Sequence, residues 1–406
     1  MKKDFIFTSE SVTEGHPDKI CDQITDAIVD RFLQVDPYAY VDAECAISQA
    51  MVFIAAQFSS SAIVGIPLVA REVISQVGYT TEELNGRTCT VLTSIKELPT
   101  DDTLRVNETA LSNDELEHIR VRHQVNAFGY ACTQTPAFMP LPIWLAHKLA
   151  RRITTVRFTT VPFLAPDGKT QVGVQYKNGR PARIHSLSLQ ICLDKSAAPP
   201  SEKQLHELVL EQIIEPAFFK EQIVPDNETR IYIETGNTLV SGGPMGHFGL
   251  SGRKTAIDTY GEFARNSGSA LSGKSPIRID RIGTYMARYA AKNVVAAGLA
   301  DECELQLSYS VGLSRPVSIQ VETFGTGRLE DSEIRSLLKK NFDFRPAAIM
   351  KDFKLRHMPS ILKGGFYRKL AAYGQVGRMD IGLPWEMTDK VPILREAAGK
   401  KLKWKE

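Results

Sequence analysis

The chain has 406 residues, with 49 lysines and arginines against 47 aspartates and glutamates, for a formal net charge of +2. This balance gives no broad basic field, so we expect no nucleic acid as a partner. The sequence has no run of about 18 apolar residues, and no apolar core follows its basic N-terminus. We therefore expect no membrane partner, no signal peptide and a cytoplasmic location. The length favours about two or three domains.

The first predicted helix begins at Pro17, because isoleucines recur there at every fourth residue, and it ends at Asp36. Apolar runs over residues 41–48 and 51–58 then predict a pair of strands. Residues 96–118 are polar and nearly free of large apolar side chains. A segment of that length is either disordered or a mobile functional loop.

Helices and paired strands alternate along the rest of the chain. Apolar periodicity predicts three further helices, at residues 139–152, 202–223 and 282–297. Strands are predicted at 172–176, 184–193, 230–234, 305–311 and 317–323. Strands that come in pairs and are crossed by helices favour an α+β fold over one doubly wound sheet.

A short segment at the start of the first helix gathers three kinds of titratable group. His16, Asp18 and Lys19 offer an imidazole, a carboxylate and an ammonium group beside a helix N-terminus, which attracts anions. Glycine-bearing segments with further cations follow at 166–169, 252–254 and 272–274. A triphosphate carries about four negative charges, which must be neutralised before a phosphate-bearing group can leave. The pattern therefore predicts ATP as a substrate.

Residues 268–275 match the phosphate-binding pattern GxxxxGK[ST] in full, but their context does not fit it. A P-loop follows a buried apolar strand and opens a helix, whereas residues 259–266 are mixed and polar and Pro276 follows directly. We therefore interpret the segment as a glycine-rich turn that presents Lys274 to a phosphate. A P-loop kinase that releases ADP stays as the alternative enzyme class.

Several motifs together carry a resemblance that spans nearly the whole chain. They are FTSESVTEGHPDK at 7–19, GGPMG at 242–246, GLSGRK at 249–254, DTYG at 258–261 and SGK at 272–274, with further matches in 288–301, 321–325, 371–378 and 384–385. In these segments the chain resembles the methionine adenosyltransferase (S-adenosylmethionine synthetase) family. The resemblance implies three intertwined α/β domains with pseudo-threefold symmetry. It also implies a homodimer or a dimer of dimers, in which two subunits share each active site.

On this resemblance we expect each domain to combine separate parts of the chain. The N-terminal domain would hold residues 1–14 and 135–237, the central domain 15–118 and 238–280, and the C-terminal domain 119–134 and 281–406. Residues 96–118 would then form a mobile lid over the acceptor pocket.

The reaction that the resemblance implies is a displacement at a nucleoside carbon. The thioether sulfur of an acceptor, by default L-methionine, attacks C5′ of ATP and expels triphosphate, which is hydrolysed to diphosphate and phosphate. By matching position, the catalytic residues would be His16, Lys169, Arg253 and Lys274, and Asp167, Lys254 and Arg278 would complete ATP binding. Asp18 and Asp280 would hold a pair of Mg²⁺ ions, and Glu44 would support a K⁺ ion.

The acceptor side departs from the family pattern. Expected acids are replaced at Gln57, His123 and His247; Arg278 replaces a lysine, and a glutamine expected to meet the acceptor carboxylate falls near Leu98. A desolvated ammonium group that lacks its anionic partner loses roughly 1–3 kcal/mol per contact. Three interpretations therefore stay open: an enzyme that uses methionine through rearranged contacts, a paralogue that adenosylates another acceptor, or an inactive, triphosphatase-only or regulatory relative.

Overall fold

The computed structural model describes residues 4–81, 84–99, 105–194, 200–234, 242–362 and 364–399. Its strands are β1 (Phe5–Val12), β2 (Tyr40–Ser48), β3 (Met51–Ser59), β4 (Thr90–Glu97), β5 (Val125–Cys132), β6 (Leu164–Lys177), β7 (Arg180–Leu193), β8 (Arg230–Glu234), β9 (Gly249–Leu250), β10 (Glu302–Tyr309) and β11 (Ser318–Glu322). Its α-helices are α1 (Pro17–Val35), α2 (Ile66–Val77), α3 (Asn113–Leu116), α4 (Leu141–Thr159), α5 (Glu202–Leu208), α6 (Glu215–Phe218), α7 (Thr255–Asp258), α8 (Ile279–Ala296), α9 (Asp331–Asn341), α10 (Pro346–Phe353), α11 (Met358–Ile361), α12 (Tyr367–Leu370) and α13 (Val391–Ala398). A π-helical segment, Val209–Ile214, joins α5 to α6, and 3₁₀ turns lie at Gly243–Met245 and Pro384–Glu386.

The strands of these described residues form three sheets, with the orders β1-β6-β7-β8, β4-β3-β2-β9 and β11-β10-β5. Each sheet contains one antiparallel hairpin, formed by β6 and β7, by β2 and β3, or by β10 and β11. Strands β4 and β8 join their sheets in parallel, which makes two of the sheets mixed. The predicted α+β class is confirmed.

Helix α1 carries the site because it packs beneath the sheet that contains β2 and β9. Its isoleucines Ile20, Ile24 and Ile28 are fully buried, as the fourfold spacing predicted. The inward residues of β2, among them Cys45 and Ile47, are buried against it. The N-terminus of α1 therefore meets the β9 end of this sheet.

The opposite side of the β4-β3-β2-β9 sheet, here called the outer face, is not covered by any of the described residues. Its polar members Asp42, Glu44 and Gln57 lie on β2 and β3. Large apolar side chains share this face and are exposed, namely Met51, Phe53, Leu92 and Leu250. A sheet face with both kinds of side chain is typical of a surface that meets another molecule.

A close helix–strand contact brings α8 against β5. A Cβ atom placed on Gly129 would lie 2.0 Å from the backbone carbon of Ala287, so only glycine allows this approach. The contact seats a fully buried arginine, Arg288, whose guanidinium donates to the backbone oxygens of Ala137 and Tyr130. These bonds tie α8 and the end of β5 into one unit.

Most predicted elements are confirmed with different ends. The helix predicted at 139–152 continues to Thr159, and the one predicted at 202–223 ends at Phe218 after its π-helical segment. Among the longer elements, strands β1, β4 and β5 and helices α2, α9, α10 and α13 were not predicted. The proposed domain boundaries stay a prediction. Among the described residues, none of the helices is both long and apolar enough to span a membrane.

The segment expected to form a lid is anchored where the structure describes it. Arg105 binds Asp36 at 2.8 Å, and Glu108 receives a hydrogen bond of 2.8 Å from the fully buried Arg356. Residues 105–118 are thus attached to the body of the protein in this structure. Residues 100–104 lie outside the described part of the chain, and the lid stays a prediction.

Candidate active site

His16 is the N-cap residue of α1, and its Nδ1 accepts a hydrogen bond from the backbone N–H of Asp18 at 3.2 Å. The ring is buried, with 2% of its surface exposed. Burial lowers the pKa of His16 to about 4, although the charges of Asp167 and Asp18 raise it. At neutral pH the imidazole is therefore uncharged, and it can exchange hydrogen bonds with a ligand without a desolvated positive charge.

Asp18 stands beside His16 with two cations on its carboxylate. Its Oδ1 accepts the backbone N–H of Leu250 at 3.0 Å, and Nζ of Lys254 lies 3.2 Å from Oδ2. A guanidinium nitrogen of Arg253 lies 3.7 Å from Oδ1, but half of that side chain is exposed. This arrangement presents a carboxylate and two positive charges at a helix N-terminus, the combination that a metal-bound polyphosphate requires.

Asp167 comes to the same place from β6. Its Oδ2 accepts the N–H of Gly243 at 2.7 Å and lies 2.9 Å from Nε2 of His247. Burial alone would raise the pKa of Asp167, but the hydrogen bonds from His247 and from the Gly243 N–H hold it below its usual range. Its other oxygen, Oδ1, is buried and has no partner among the described residues. The carboxylate is thus ionised and has room for one more donor.

Lys169 follows Asp167 by two residues on β6 and pairs in register with Val12 of β1. The side chain is half-buried and acts electrostatically on Cys192, a neighbour of Asp167. Within the described ranges it makes no hydrogen bond or ion pair. Its ammonium group is therefore available to an anion. We call the whole group the α1 cluster: His16, Asp18, Asp167, Lys169, His247, Arg253 and Lys254.

A second group, the α8 cluster, surrounds the N-terminus of α8 and contains Asp42, His123, Lys274, Arg278 and Asp280. Arg278 is the N-cap residue of α8, binds the carboxylate of Asp42 and lies 3.4 Å from Asp280. The Lys274 ammonium lies 3.3 Å from Asp280, and Lys274 forms a β-bridge with Asp42. Burial lowers the pKa of Lys274, while Asp280 opposes the shift. The cluster holds two acids, Asp42 and Asp280, and two cations, Lys274 and Arg278.

The acceptor positions divide between the two clusters. Gln57 faces Asp42 across β2 and β3, and its Nε2 donates to Asp42 at 3.4 Å. Burial and then the Arg278 charge lower the pKa of His123, so its ring is mainly neutral at pH 7. His247 belongs to the α1 cluster instead. Leu98 follows the end of β4, where its N–H bonds to the Phe58 oxygen at 2.7 Å, and no described contact links it to either cluster.

Glu44 lies between the two clusters on the outer face. It accepts a hydrogen bond from Ser251, which precedes Arg253 and Lys254 by two and three residues. Partial desolvation of its carboxylate raises the pKa of Glu44, and the hydrogen bond from Ser251 and the charge of Lys274 oppose this shift. No hydrogen bond or ion pair of the described residues joins the α1 cluster directly to the α8 cluster. The described residues therefore form two separate charged clusters, and Glu44 lies between them.

Sequence reasoning missed the group that supports α1. Lys19, which the sequence places among the ligand-binding cations, is buried and binds Asp22 at 2.8 Å and Asp258 at 2.5 Å. Asp22 also accepts the N–H of Gly252 at 2.8 Å, which fixes the turn that carries Arg253. Lys19 therefore has a supporting role: through its buried ion pairs it helps to hold the site residues in position. The spacing of Asp22 one turn after Lys19 was the available signal for this ion pair.

Comparison with known proteins accounts for nearly the whole chain. Family models described as the N-terminal, central and C-terminal domains of S-adenosylmethionine synthetase match residues 4–99, 118–239 and 241–387. The chain is 44% identical to the S-adenosylmethionine synthase of Gloeothece citriformis, with 98% of each chain covered. It is 45% identical to those of Thermosynechococcus vestitus (97% and 98% covered) and Microcystis aeruginosa (98% and 99%). The chain therefore belongs to the S-adenosylmethionine synthetase family.

Proposed function

We propose that this chain forms S-adenosylmethionine from ATP and L-methionine and hydrolyses the released triphosphate to diphosphate and phosphate. The observation that carries this proposal is the α1 cluster, in which neutral His16, ionised Asp167 and two further cations accompany Lys169, which binds no other described residue. The arrangement suits a leaving group with several negative charges. It contains no activated serine or cysteine, and a direct displacement by sulfur needs none.

Different residues of the α1 cluster would contact the ribose and the triphosphate of ATP. Asp167 Oδ1 is the free acceptor that a ribose hydroxyl would use. His16 would donate a hydrogen bond near the oxygen that leaves C5′, where negative charge develops. Lys169, Arg253 and Lys254 would neutralise the phosphates. Fixed positive charge on the leaving group and correct positioning of the sulfur then supply the rate.

The donor chemistry of Asp18 and Asp280 fits Mg²⁺, which prefers carboxylate oxygen and shares its coordination with substrate phosphates. Both carboxylates are buried and at present bind cationic side chains, Lys254 and Lys274 respectively, so each stands where positive charge is favoured. When bound, Mg²⁺ would neutralise phosphate oxygens. For K⁺, Glu44 is the candidate ligand, held by Ser251.

A homodimer, alone or paired into a dimer of dimers, would complete the site. The outer face supports this, because Met51, Phe53, Leu92 and Leu250 are each between 45% and 51% exposed there. A second copy on this face would cover these apolar side chains. It would also bring its α8 cluster toward the α1 cluster of the first copy, which neither chain achieves alone. Acceptor and triphosphate would then be held between two subunits.

Methionine stays the proposed acceptor, and the relatives give no support to a kinase, a different acceptor or a regulatory subunit. The neutral side chains of Gln57 and His123 can both accept a hydrogen bond from an ammonium group. Asp42 adds a carboxylate beside Gln57. The substituted positions thus still offer partners for the α-amino group.

The test is to incubate the protein with ATP, Mg²⁺, K⁺ and a panel of thioethers that includes methionine, and to identify the products by mass spectrometry. S-adenosylmethionine with diphosphate and phosphate supports the proposal. A different adenosylated thioether would replace methionine as the acceptor. ADP as product would instead indicate a kinase, and an absence of turnover would favour a regulatory subunit.

A further inference from the structure

Three side chains of metal-binding type meet in the α1 cluster. One ligand atom from each of His16, Asp167 and His247 lies within 4.8 Å of the other two. The His16 and His247 rings are 4.9 Å apart, and Nε2 of His247 lies 2.9 Å from Oδ2 of Asp167. The three residues come from the cap of α1, from β6 and from the segment before β9. Their convergence is therefore a product of the tertiary fold.

A second observation points to a missing partner at this place. Asp167 is 3% exposed, and its Oδ1 makes no hydrogen bond within the described residues. A buried acceptor without a partner costs about 1–3 kcal/mol, so such atoms are rare unless a ligand or water uses them. The open oxygen belongs to the same carboxylate that already contacts His247.

We propose that His16, Asp167 and His247 bind a divalent transition-metal ion, with Zn²⁺ as the representative. Two imidazoles and one carboxylate suit Zn²⁺, Co²⁺ or Ni²⁺, whereas Mg²⁺ prefers a set of oxygens and would stay with Asp18. The His247 side chain is 29% exposed, which gives the ion a path from solvent. The remaining coordination positions would be filled by water.

Each of the two histidines can free a nitrogen for the metal by moving its proton to the other ring nitrogen, so no further reactant is needed. The proton between His247 and Asp167 moves to Nδ1 of His247, which frees Nε2 for the metal. His16 changes tautomer in the same way: its proton moves from Nε2 to Nδ1, which gives up the hydrogen bond from the Asp18 N–H, and Nε2 is then free for the metal. Lys254, close to Asp18, opposes the added positive charge and limits the affinity.

This inference rests in part on the proposed function, because His16 and Asp167 are also the proposed contacts to ATP. A bound transition metal would occupy both residues and exclude the nucleoside end of ATP. The site would therefore make the enzyme sensitive to free Zn²⁺. Removal of the ion by a chelator would restore ATP binding.

The test measures metal binding directly in the intact protein and without ATP. Zn²⁺ is titrated by equilibrium dialysis at buffered free concentrations, and Co²⁺ is added separately to record its visible absorption bands. The wild type should bind one metal ion per chain. Co²⁺ bound there should give the visible absorption bands of a histidine–carboxylate site. His247→Gln should weaken Zn²⁺ binding at least about tenfold. The exposed His206→Gln on α5 is the matched control and should bind as the wild type does.

Equal Zn²⁺ affinity in His247→Gln and the wild type would overturn the proposal, as would a lack of binding by the folded wild type. Asp167→Asn provides a second variant, with melting temperature as the check on folding. The inhibition of adenosyl transfer by Zn²⁺ is then measured as the rate with Zn²⁺ divided by the rate without it. This ratio should fall less in His247→Gln than in His206→Gln. Because the binding arm needs no turnover, it can fail or succeed independently of the proposed reaction.

Discussion

Asp42 and Gln57 lie directly opposite each other on β2 and β3, and Nε2 of Gln57 lies 3.4 Å from Oδ2 of Asp42. The family resemblance expects an acid at position 57. Here the carboxylate lies on the neighbouring strand instead, at Asp42. Arg278 holds the same carboxylate from the start of α8. In the proposed acceptor site, the negative charge that an ammonium group would require is therefore present on the neighbouring strand.

Replacement of Asp42 by Asn should weaken methionine binding selectively. Loss of a charge-assisted hydrogen bond costs roughly 1–3 kcal/mol, so the KM for methionine should rise by about 5- to 150-fold. The KM for ATP should change little, because its proposed contacts lie in the α1 cluster. Steady-state kinetics with each substrate varied in turn gives both values.

The double variant Asp42→Asn with Gln57→Glu is the matched control, since it returns one carboxylate to the facing strand. It should recover much of the lost methionine affinity. A rise in the KM for ATP alone, or an unchanged KM for methionine in the single variant, would contradict the role of Asp42.

Phe53→Lys should separate the subunits of the proposed dimer. Phe53 is 45% exposed in the centre of the outer face, and a lysine there would place a charge in an apolar interface without a partner. Sedimentation velocity should show a smaller species, and activity should fall with it. Phe219→Lys is the control, because Phe219 is 69% exposed beyond α6 and outside this face. Identical sedimentation of both variants and the wild type would contradict an interface at the outer face.

Lys169→Ala should abolish most of the adenosyl transfer while the fold persists. Removal of one group that stabilises developing negative charge typically costs about 10²–10³ in kcat. Lys177→Ala provides the comparison, because Lys177 ends the same strand and is exposed. Single-turnover rates with saturating ATP and methionine measure the effect. A near-normal rate in Lys169→Ala would remove this residue from the site.

Lys19→Met should destabilise the protein strongly, because two buried carboxylates would lose their shared cation. Asp22 and Asp258 are at most 2% exposed, and burial raises the pKa of Asp258 to about 7 even with Lys19 present. Breaking a buried ion pair from one side costs about 3–5 kcal/mol. Arg31→Met, which removes the exposed pair with Glu72, should cost at most about 1 kcal/mol. Urea unfolding compares the two, and equal losses would be the contrary result.

The sequence predicted those features that depend on local spacing. The fourfold isoleucine pattern and Pro17 fixed the start of α1, and the paired apolar runs predicted β2 and β3 within a residue of their ends. Strand β4 was missed because it lies at a sheet edge with every residue exposed or half-buried, and its apolar residues Val91, Leu92 and Ile95 do not alternate regularly. Edge strands with polar residues give little periodic signal.

Other site features depend on residues that are far apart in the chain. Asp42 acquires its role from pairing with Gln57 and from Arg278, which lies 236 residues away. Lys19 binds Asp258, which lies 239 residues away in the sequence. Because Lys19 is close to His16 in the sequence, it was grouped with the ligand-binding cations, although its contacts are those of a structural ion pair. Motif positions identify which residues matter. The tertiary contacts decide which of them face a ligand.

His147 should make stability depend on acidity in a defined direction. The ring is buried, its Nδ1 lies 2.8 Å from Ser11 Oγ, and burial with the charges of Arg151 and Arg378 lowers the pKa of His147 to about 3. The unfolded chain, with a histidine pKa of about 6.5, therefore binds this proton first as the pH falls. Stability is lost below about pH 6.5, at up to about 1.4 kcal/mol per pH unit.

Urea unfolding of the wild type and His147→Gln at several pH values isolates this effect. The glutamine variant lacks the titrating group, so the free energy of unfolding of the wild type minus that of the variant should shrink steadily between about pH 6.5 and pH 4.5. The exposed His206→Gln is the matched control for the replacement of a histidine by glutamine. Parallel curves for the wild type and His147→Gln would mean that the buried ring is protonated as readily in the folded protein as in the unfolded chain.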